Sequence, residues 1–254
     1  YSIERTEILL SLLAIEKGED EEIFDFNLYN ADSLEFDWYK ENSQIEASHG
    51  FDIILGNPPY VCSRNMNEKT KTLISKWNAC ATGHPDLYIP FFQIGFEFLR
   101  PKGILGYLTV NSFIKSLNGR GIRNYFHEKQ VDLKIIDFED EQIFNSRMTY
   151  TAICFLSKNP SNIVRYLPLR RVQLRDDFKY KEYPYSELSI QNGWYLKNKN
   201  LVQKVESIGT SLGDTYNTKS GIATLKNSIY IFTPVKESTK YYYINEDTKV
   251  EKEI

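Results

Sequence analysis

The stretch FDIILGNPPYV, residues 51 to 61, decides how the rest of the chain is read. Phe51, Ile53, Ile54 and Leu55 form a short apolar run rich in strand formers, the pattern of a strand inside a core. Gly56-Asn57-Pro58-Pro59-Tyr60 then forbids any further ladder or helix. Proline fixes its own backbone angle and biases the residue before it toward extended conformations, so Asn57-Pro58-Pro59 is nearly pre-set. The amide oxygen of Asn57 and the carbonyl of Pro58 can then both face one external donor, with no proline N–H competing. Tyr60 adds a flat face beside those acceptors. Together they suit a planar ring that carries an amino group. Pro-Pro after a strand is more often only a rigid turn; the whole Gly-Asn-Pro-Pro-Tyr string after an apolar strand is far more specific.

Outward from this corner, helix and strand alternate. Apolar residues at 8, 9, 12, 13 and 15 predict a helix over 3–17. A strand is expected at 27–30, running into the turn Ala31-Asp32-Ser33. Residues 61–85 read as polar and irregular, with one short helix near 68–77. Aromatics at 88, 91, 92, 96 and 98 give residues 86–100 helical spacing, ended by Arg100-Pro101-Lys102-Gly103. A strand over 104–110 follows, then a helix from 112 to 129 interrupted at Asn118-Gly119-Arg120-Gly121. Strands over 131–138 and 150–156 are spaced as an antiparallel pair. Residues 1–157 thus read as an open α/β sheet with a reversed last strand. Residues 158–190 read as a basic, tyrosine-rich linker, and 191–254 as the beginning of a second, mixed domain.

The 254 residues can bury a core, and no apolar run approaches the roughly 20 residues of a membrane helix. Three cysteines without close pairing and three scattered histidines argue against a disulfide framework or a zinc site, and a cytoplasmic setting fits best. The net charge of −3 hides an asymmetry: residues 1–50 carry −10 and the rest +7. The densest basic stretch, residues 164–181, holds Arg165, Arg170, Arg171 and Arg175, candidate contacts to DNA phosphates. A solvated surface strand explains such a stretch equally well.

Asn57-Pro58-Pro59-Tyr60 resembles the signature of amino methyltransferases that use S-adenosyl-L-methionine, which follows the fourth strand of a Rossmann-like sheet. Within that group the chain looks most like the adenine-N6 DNA methyltransferases of restriction–modification systems, of the TaqI-like and type IIG kind. Asn30-Ala31-Asp32-Ser33-Leu34 resembles the family segment whose acidic residue contacts the adenine of the donor, which implies Asp32, with Ser33 beside it. Asp86-Leu87-Tyr88 with Phe91 resembles the segment whose phenylalanine lines the donor pocket. Arg100-Pro101-Lys102-Gly103 resembles the turn into the fifth strand. Phe144, in Gln142-Ile143-Phe144-Asn145, matches the aromatic that holds a flipped base opposite Tyr60. The resemblance implies catalytic Asn57, Pro58, Pro59 and Tyr60, base stacking by Tyr60 and Phe144, and double-stranded DNA as partner.

Two family features depart from the pattern. The glycine-rich loop that embraces the donor is missing, because Gly119-Arg120-Gly121 follows a polar stretch and reads as a flexible surface loop. The chain is therefore expected to be a piece of a longer polypeptide, possibly joined to a nuclease domain, and inactive alone. Trp194 onward, with Gly221-Ile222-Ala223-Thr224-Leu225-Lys226-Asn227, resembles the start of a target-recognition domain, although Leu225 replaces a glycine. The same corner also serves methyltransferases of protein glutamine and of RNA. A non-catalytic DNA-binding fragment is the third reading.

Overall fold

The computed structural model describes residues 2–21, 23–142, 150–169, 179–197, 199–210, 212–216, 242–244 and 251–253. Two compact units divide at Lys199 and Asn200. Helix α1 (Ser2–Glu16) forms where the apolar spacing predicts it, but Ile8, Leu9, Leu12, Leu13 and Ile15 all stay exposed. The expected strand at 27–30 is irregular chain, without a ladder partner among the described residues. The turn after it is present: the Asp32 carbonyl accepts from the N–H groups of Glu35 and Phe36. Short helices α2 (Trp38–Glu41) and α3 (Ser43–Ala47) follow, each started by a side-chain cap, Asp37 and Asn42.

Strand β1 (Phe51–Gly56) is entered through Gly50, whose φ of 117° favours glycine. A Cβ there would stand 2.4 Å from the Phe98 carbonyl oxygen. After the proline corner come α4 (Glu68–Ile74), capped by Asn67, and α5 (Tyr88–Glu97). Pro90 sits in the first turn of α5, where its missing N–H breaks no helical bond. Ile89, Phe92 and Phe96 are buried, each worth about 2 kcal/mol of apolar burial. Strand β2 (Leu99–Val110) begins at once, with Lys102 at φ 69° making its bend. Two short 3-10 turns then lead into α6 (Arg120–Glu128).

Strands β3 (Val131–Gln142) and β4 (Tyr150–Pro160) are the antiparallel pair, with Leu133 opposite Leu156 and Ile135 opposite Cys154. β4 lies between β2 and β3 and opposes both, so the reversed last strand is present. The sheet then grows beyond the sequence expectation. β5 (Ile163–Pro168) pairs parallel to β3, and β6 (Lys181–Pro184) antiparallel to β5, giving the order β1-β2-β4-β3-β5-β6. Residues expected to form a linker are thus sheet, because buried Val164, Tyr166 and Tyr183 give them a core face. Trp194, expected to open the second domain, is buried against Phe126 and Tyr185 in the core of the first unit.

Helices α5 and α6 cover one sheet face, where Leu105, Tyr107, Leu133, Ile135 and Cys154 join the main core. A smaller cluster of Ile136, Phe138 and Leu169 occupies a second patch. β1 is an edge: Ile53 is 63% exposed and Leu55 76%. Gly119 and Gly121 correct the surface-loop reading. Both are buried, and a Cβ would stand 2.2 Å from the Phe113 carbonyl and 2.3 Å from that of Ala79, respectively. Among the described residues no helix is long and apolar enough to cross a membrane.

The second unit contains α7 (Lys199–Glu206) for all but its first residue, then α8 (Leu212–Thr215) and a hairpin of β7 (Tyr242–Ile244) with β8 (Glu251–Glu253). Gly221 to Asn227, compared with a recognition domain, lie outside the described residues.

Candidate active site

The corner stands at the carboxyl end of β1, where ligands bind in open α/β sheets. Asn57 is exposed and Pro58 is buried. Among the described residues neither the Asn57 amide nor the Pro58 carbonyl has a hydrogen-bond partner, while the Pro59 carbonyl accepts from the Val61 N–H at 3.2 Å. The two acceptors singled out in the sequence are therefore the available ones.

Tyr60 is half-buried, and its hydroxyl donates to the Leu108 carbonyl on β2 at 3.2 Å. Burial pushes its pKa up to about 12, so at neutral pH the ring is uncharged. The chain beyond it is tied to the start of α5. Leu87 N–H donates to the Val61 carbonyl at 2.9 Å, and Ser63 N–H to Asp86 Oδ1 at 3.2 Å. Burial raises the Asp86 pKa above its ordinary value. Tyr88 in turn shares a 3.0 Å hydrogen bond with Ser112.

A cleft of about 450 Å³ opens beside the corner. Asn57, Pro58, Pro59, Ser33 and Phe91 line it, so five residues named from the sequence meet there. Asp32 does not line it; its Oδ1 accepts the Leu34 N–H at 3.1 Å and shapes the turn that presents Ser33. Trp38 and Phe98 complete the aromatic wall, and sequence reading missed both. The signal for Trp38 was the run Phe36-Asp37-Trp38, whose rings join Tyr29 and Phe51 edge to face. Aromatic walls with Ser33 as a polar point could hold a flat heterocycle.

The remaining candidates are placed differently. Arg165, on β5, is half-buried between two carboxylates, Asp132 at 2.5 Å and Glu182 at 3.1 Å. Phe144, Arg170, Arg171 and Arg175 lie outside the described residues. Two further polar groups were missed. Arg123 is fully buried, and Asp137 is a buried acceptor midway along β3. An arginine on the buried face of α6, three residues before Phe126, was the available signal for the first.

Sheet order and the reversed β4 are those of a Rossmann-like methyltransferase fold. Residues 2–144, more than half of the chain, match the Eco57I restriction-modification methylase family, and the chain belongs to it. It is 29% identical over 213 residues to the type II restriction enzyme and methyltransferase RM.Eco57I of Escherichia coli, covering 79% of this chain and 21% of that one. It is 32% identical over 114 residues to the type II methyltransferase M.XhoI of Xanthomonas vasicola, covering 43% and 20%. The chain thus spans about a fifth of the length of these relatives. The fold is similar to a chain in the cryo-electron microscopy structure of the DrdV–DNA complex, with TM-score 0.54, 17% identity and coverage of 73% and 22%.

Proposed function

We propose that this chain supplies the target-base half of a site-specific DNA methyltransferase. In that reading the parent protein moves a methyl group from S-adenosyl-L-methionine to the N6 amino group of an adenine turned out of the duplex, as the modification function of a restriction–modification system. One observation carries the reading: the prolines restrict the backbone at Asn57 and Pro58, and among the described residues Asn57 Oδ1 and the Pro58 carbonyl have no protein partner, beside a neutral aromatic ring.

An adenine amine is a poor nucleophile because its lone pair is delocalised into the ring. The donor, when bound, supplies an electrophilic methyl on sulfur. The protein's part is to accept the two amine hydrogens at Asn57 and Pro58. That favours a pyramidal nitrogen and aims its lone pair, and proline rigidity spares reorganisation as the bond forms. No strong base is required first, since the amine sheds its proton after transfer. Tyr60, anchored through its hydroxyl to Leu108, offers a stacking face that offsets part of the cost of extracting the base. Ser33, Trp38 and Phe91 would hold the donor's heterocycle in the adjoining cleft.

The test is transfer of labelled methyl into duplex DNA by the full-length protein and its Asn57→Ala variant. The expected result is adenine N6 label with the native residue, and a loss of at least about 100-fold in kcat with alanine while donor binding persists. Label entering protein glutamine or RNA but never DNA adenine refutes the substrate. Full activity of Asn57→Ala refutes the mechanism.

A further inference from the structure

A second cavity, of about 740 Å³, opens at the carboxyl ends of β2 and β3 and shares no lining residue with the cleft beside Asn57. Asn111, Asp137, Glu139, Tyr150 and Tyr166 are among its walls. Asp137 organises it. Its Oδ1 accepts from Asn111 Nδ2 at 2.8 Å and from the Glu139 N–H at 3.0 Å, and its Oδ2 accepts from the Tyr166 hydroxyl at 2.8 Å. An ionised carboxylate only accepts, so the end of the Asn111 amide turned toward it is the nitrogen. The carbonyl oxygen is thereby left over, and it has no partner among the described residues.

That oxygen is pre-aligned by a charge-assisted bond, so a donor arriving there meets an acceptor already in place. The surrounding charge chooses the donor. Asp137, Glu139 and Asp140 face Lys115 and Lys197, and Lys197 is bound to Glu139 at 2.6 Å. A phosphate is disfavoured in such a setting, and an amino group is welcome. Tyr150, half-exposed on the cavity wall, supplies a flat surface. Asn111 directly follows the end of β2, the strand beside β1, four residues past Tyr107, which pairs with Gly56. That places it roughly 10 Å beyond the level of Asn57, too far for one base to reach both.

We propose that this cavity reads the exocyclic amine of a second base of the DNA, an adenine or cytosine other than the methylated one. Asn111 Oδ1 accepts from that amine, and Asp137 acts as the positioning residue that aligns Asn111. The inference rests on the DNA substrate of the preceding section, and its test separates the two. Full-length protein is assayed on duplexes in which each adenine or cytosine of the methylated site, except the target, is replaced in turn by purine or pyrimidin-2-one, which lack the amine.

At one position the unaltered protein is expected to lose about tenfold in kcat/KM, and Asn111→Ala to lose less than about twofold on the same replacement. A merely structural role would lower kcat/KM on all duplexes alike and leave this ratio intact, which overturns the proposal. So does the absence of any sensitive position with the unaltered protein. Asn111→Ser, expected to flatten the ratio in the same way, gives the readout if the alanine variant fails to fold. No methyl transfer to DNA by the unaltered protein sinks the substrate assignment itself.

Discussion

Arg123 gives the sharpest test of how the loop after β2 is held. Its side chain is fully buried, and among the described residues no carboxylate meets it. Nη1 donates to the carbonyls of Phe113 and Ser116, the latter at 2.8 Å. Nε and Nη2 both donate to the Ile190 carbonyl, at 3.0 and 2.7 Å. Burial, aided by Arg120, brings its pKa down to about 10, so it remains charged at pH 7. Arg123→Met keeps the apolar stem but removes every donor of the charged fork from the Phe113 and Ile190 carbonyls, while the Ser116 carbonyl keeps only the Gly119 N–H at 3.1 Å. Hydrogen bonds from charged donors are worth about 1.5–3 kcal/mol each, and release of a buried charge offsets part of the sum. The expected loss is therefore about 3–5 kcal/mol, or roughly 10 °C in Tm for a unit of this size. Arg123→Lys keeps the charge without the planar fork and should lose about half as much. Thermal melting by circular dichroism measures both, and hydrogen exchange of residues 112–119 reports the loop directly. A methionine variant within about 2 °C of the native chain, or a lysine variant as damaged as methionine, refutes the clasp.

Three further outcomes are expected. Burial raises the Asp86 pKa above 3.8, so the folded chain holds that proton more tightly than the unfolded one. Stability then falls as pH rises from 3.8 through the raised value, and stays lower above it; Asp86→Asn should lack this fall, with a higher urea midpoint at pH 7 and an equal one at acid pH. Gly121→Ala brings a Cβ to 2.3 Å from the backbone oxygen of Ala79, which cannot swing aside. It should cost about 1–3 kcal/mol in chemical denaturation, and an unchanged midpoint contradicts the packing. Tyr60→Phe loses the bond to Leu108 but keeps the ring. A fall of about fivefold in methyl transfer by the full-length protein is expected, and inactivation as deep as that of Tyr60→Ala contradicts the stacking role.

What the sequence disclosed was local. The β1 strand, its proline corner, helix α5 with Pro90 in its first turn, and the reversed β4 all follow from short-range periodicity and backbone restriction. What it concealed depended on distant partners. Arg165 reads as a free cation until Asp132 and Glu182, 33 and 17 residues away, come into contact with it. The strand weighed there as solvated instead has a buried face, made by Val164 and Tyr166. Gly119 and Gly121 suggest mobility when viewed alone, yet they are small because Phe113 and Ala79 press against them. Residues 27–30 show the converse, since extended propensity supplies no neighbour to pair with. The corner was legible as an acceptor pair, while Trp38 and Asn111 became site residues only once the chain was folded around them.

The two margins of the sheet give it a direction of growth. β6 ends one margin with four residues, including Lys181, Glu182 and Pro184, a composition that discourages another strand from joining. At the other margin, among the described residues, β1 exposes the apolar side chains of Ile53 and Leu55, with Asp52, paired to Arg100, as its one charged residue. A strand that paired with β1 would therefore also become a neighbour of Ser33, Phe91 and Asn57. Because Phe51, Ile53, Ile54, Leu55 and Gly56 also line the cleft, one strand serves both as sheet margin and as cleft wall, and a change at either is felt at the other.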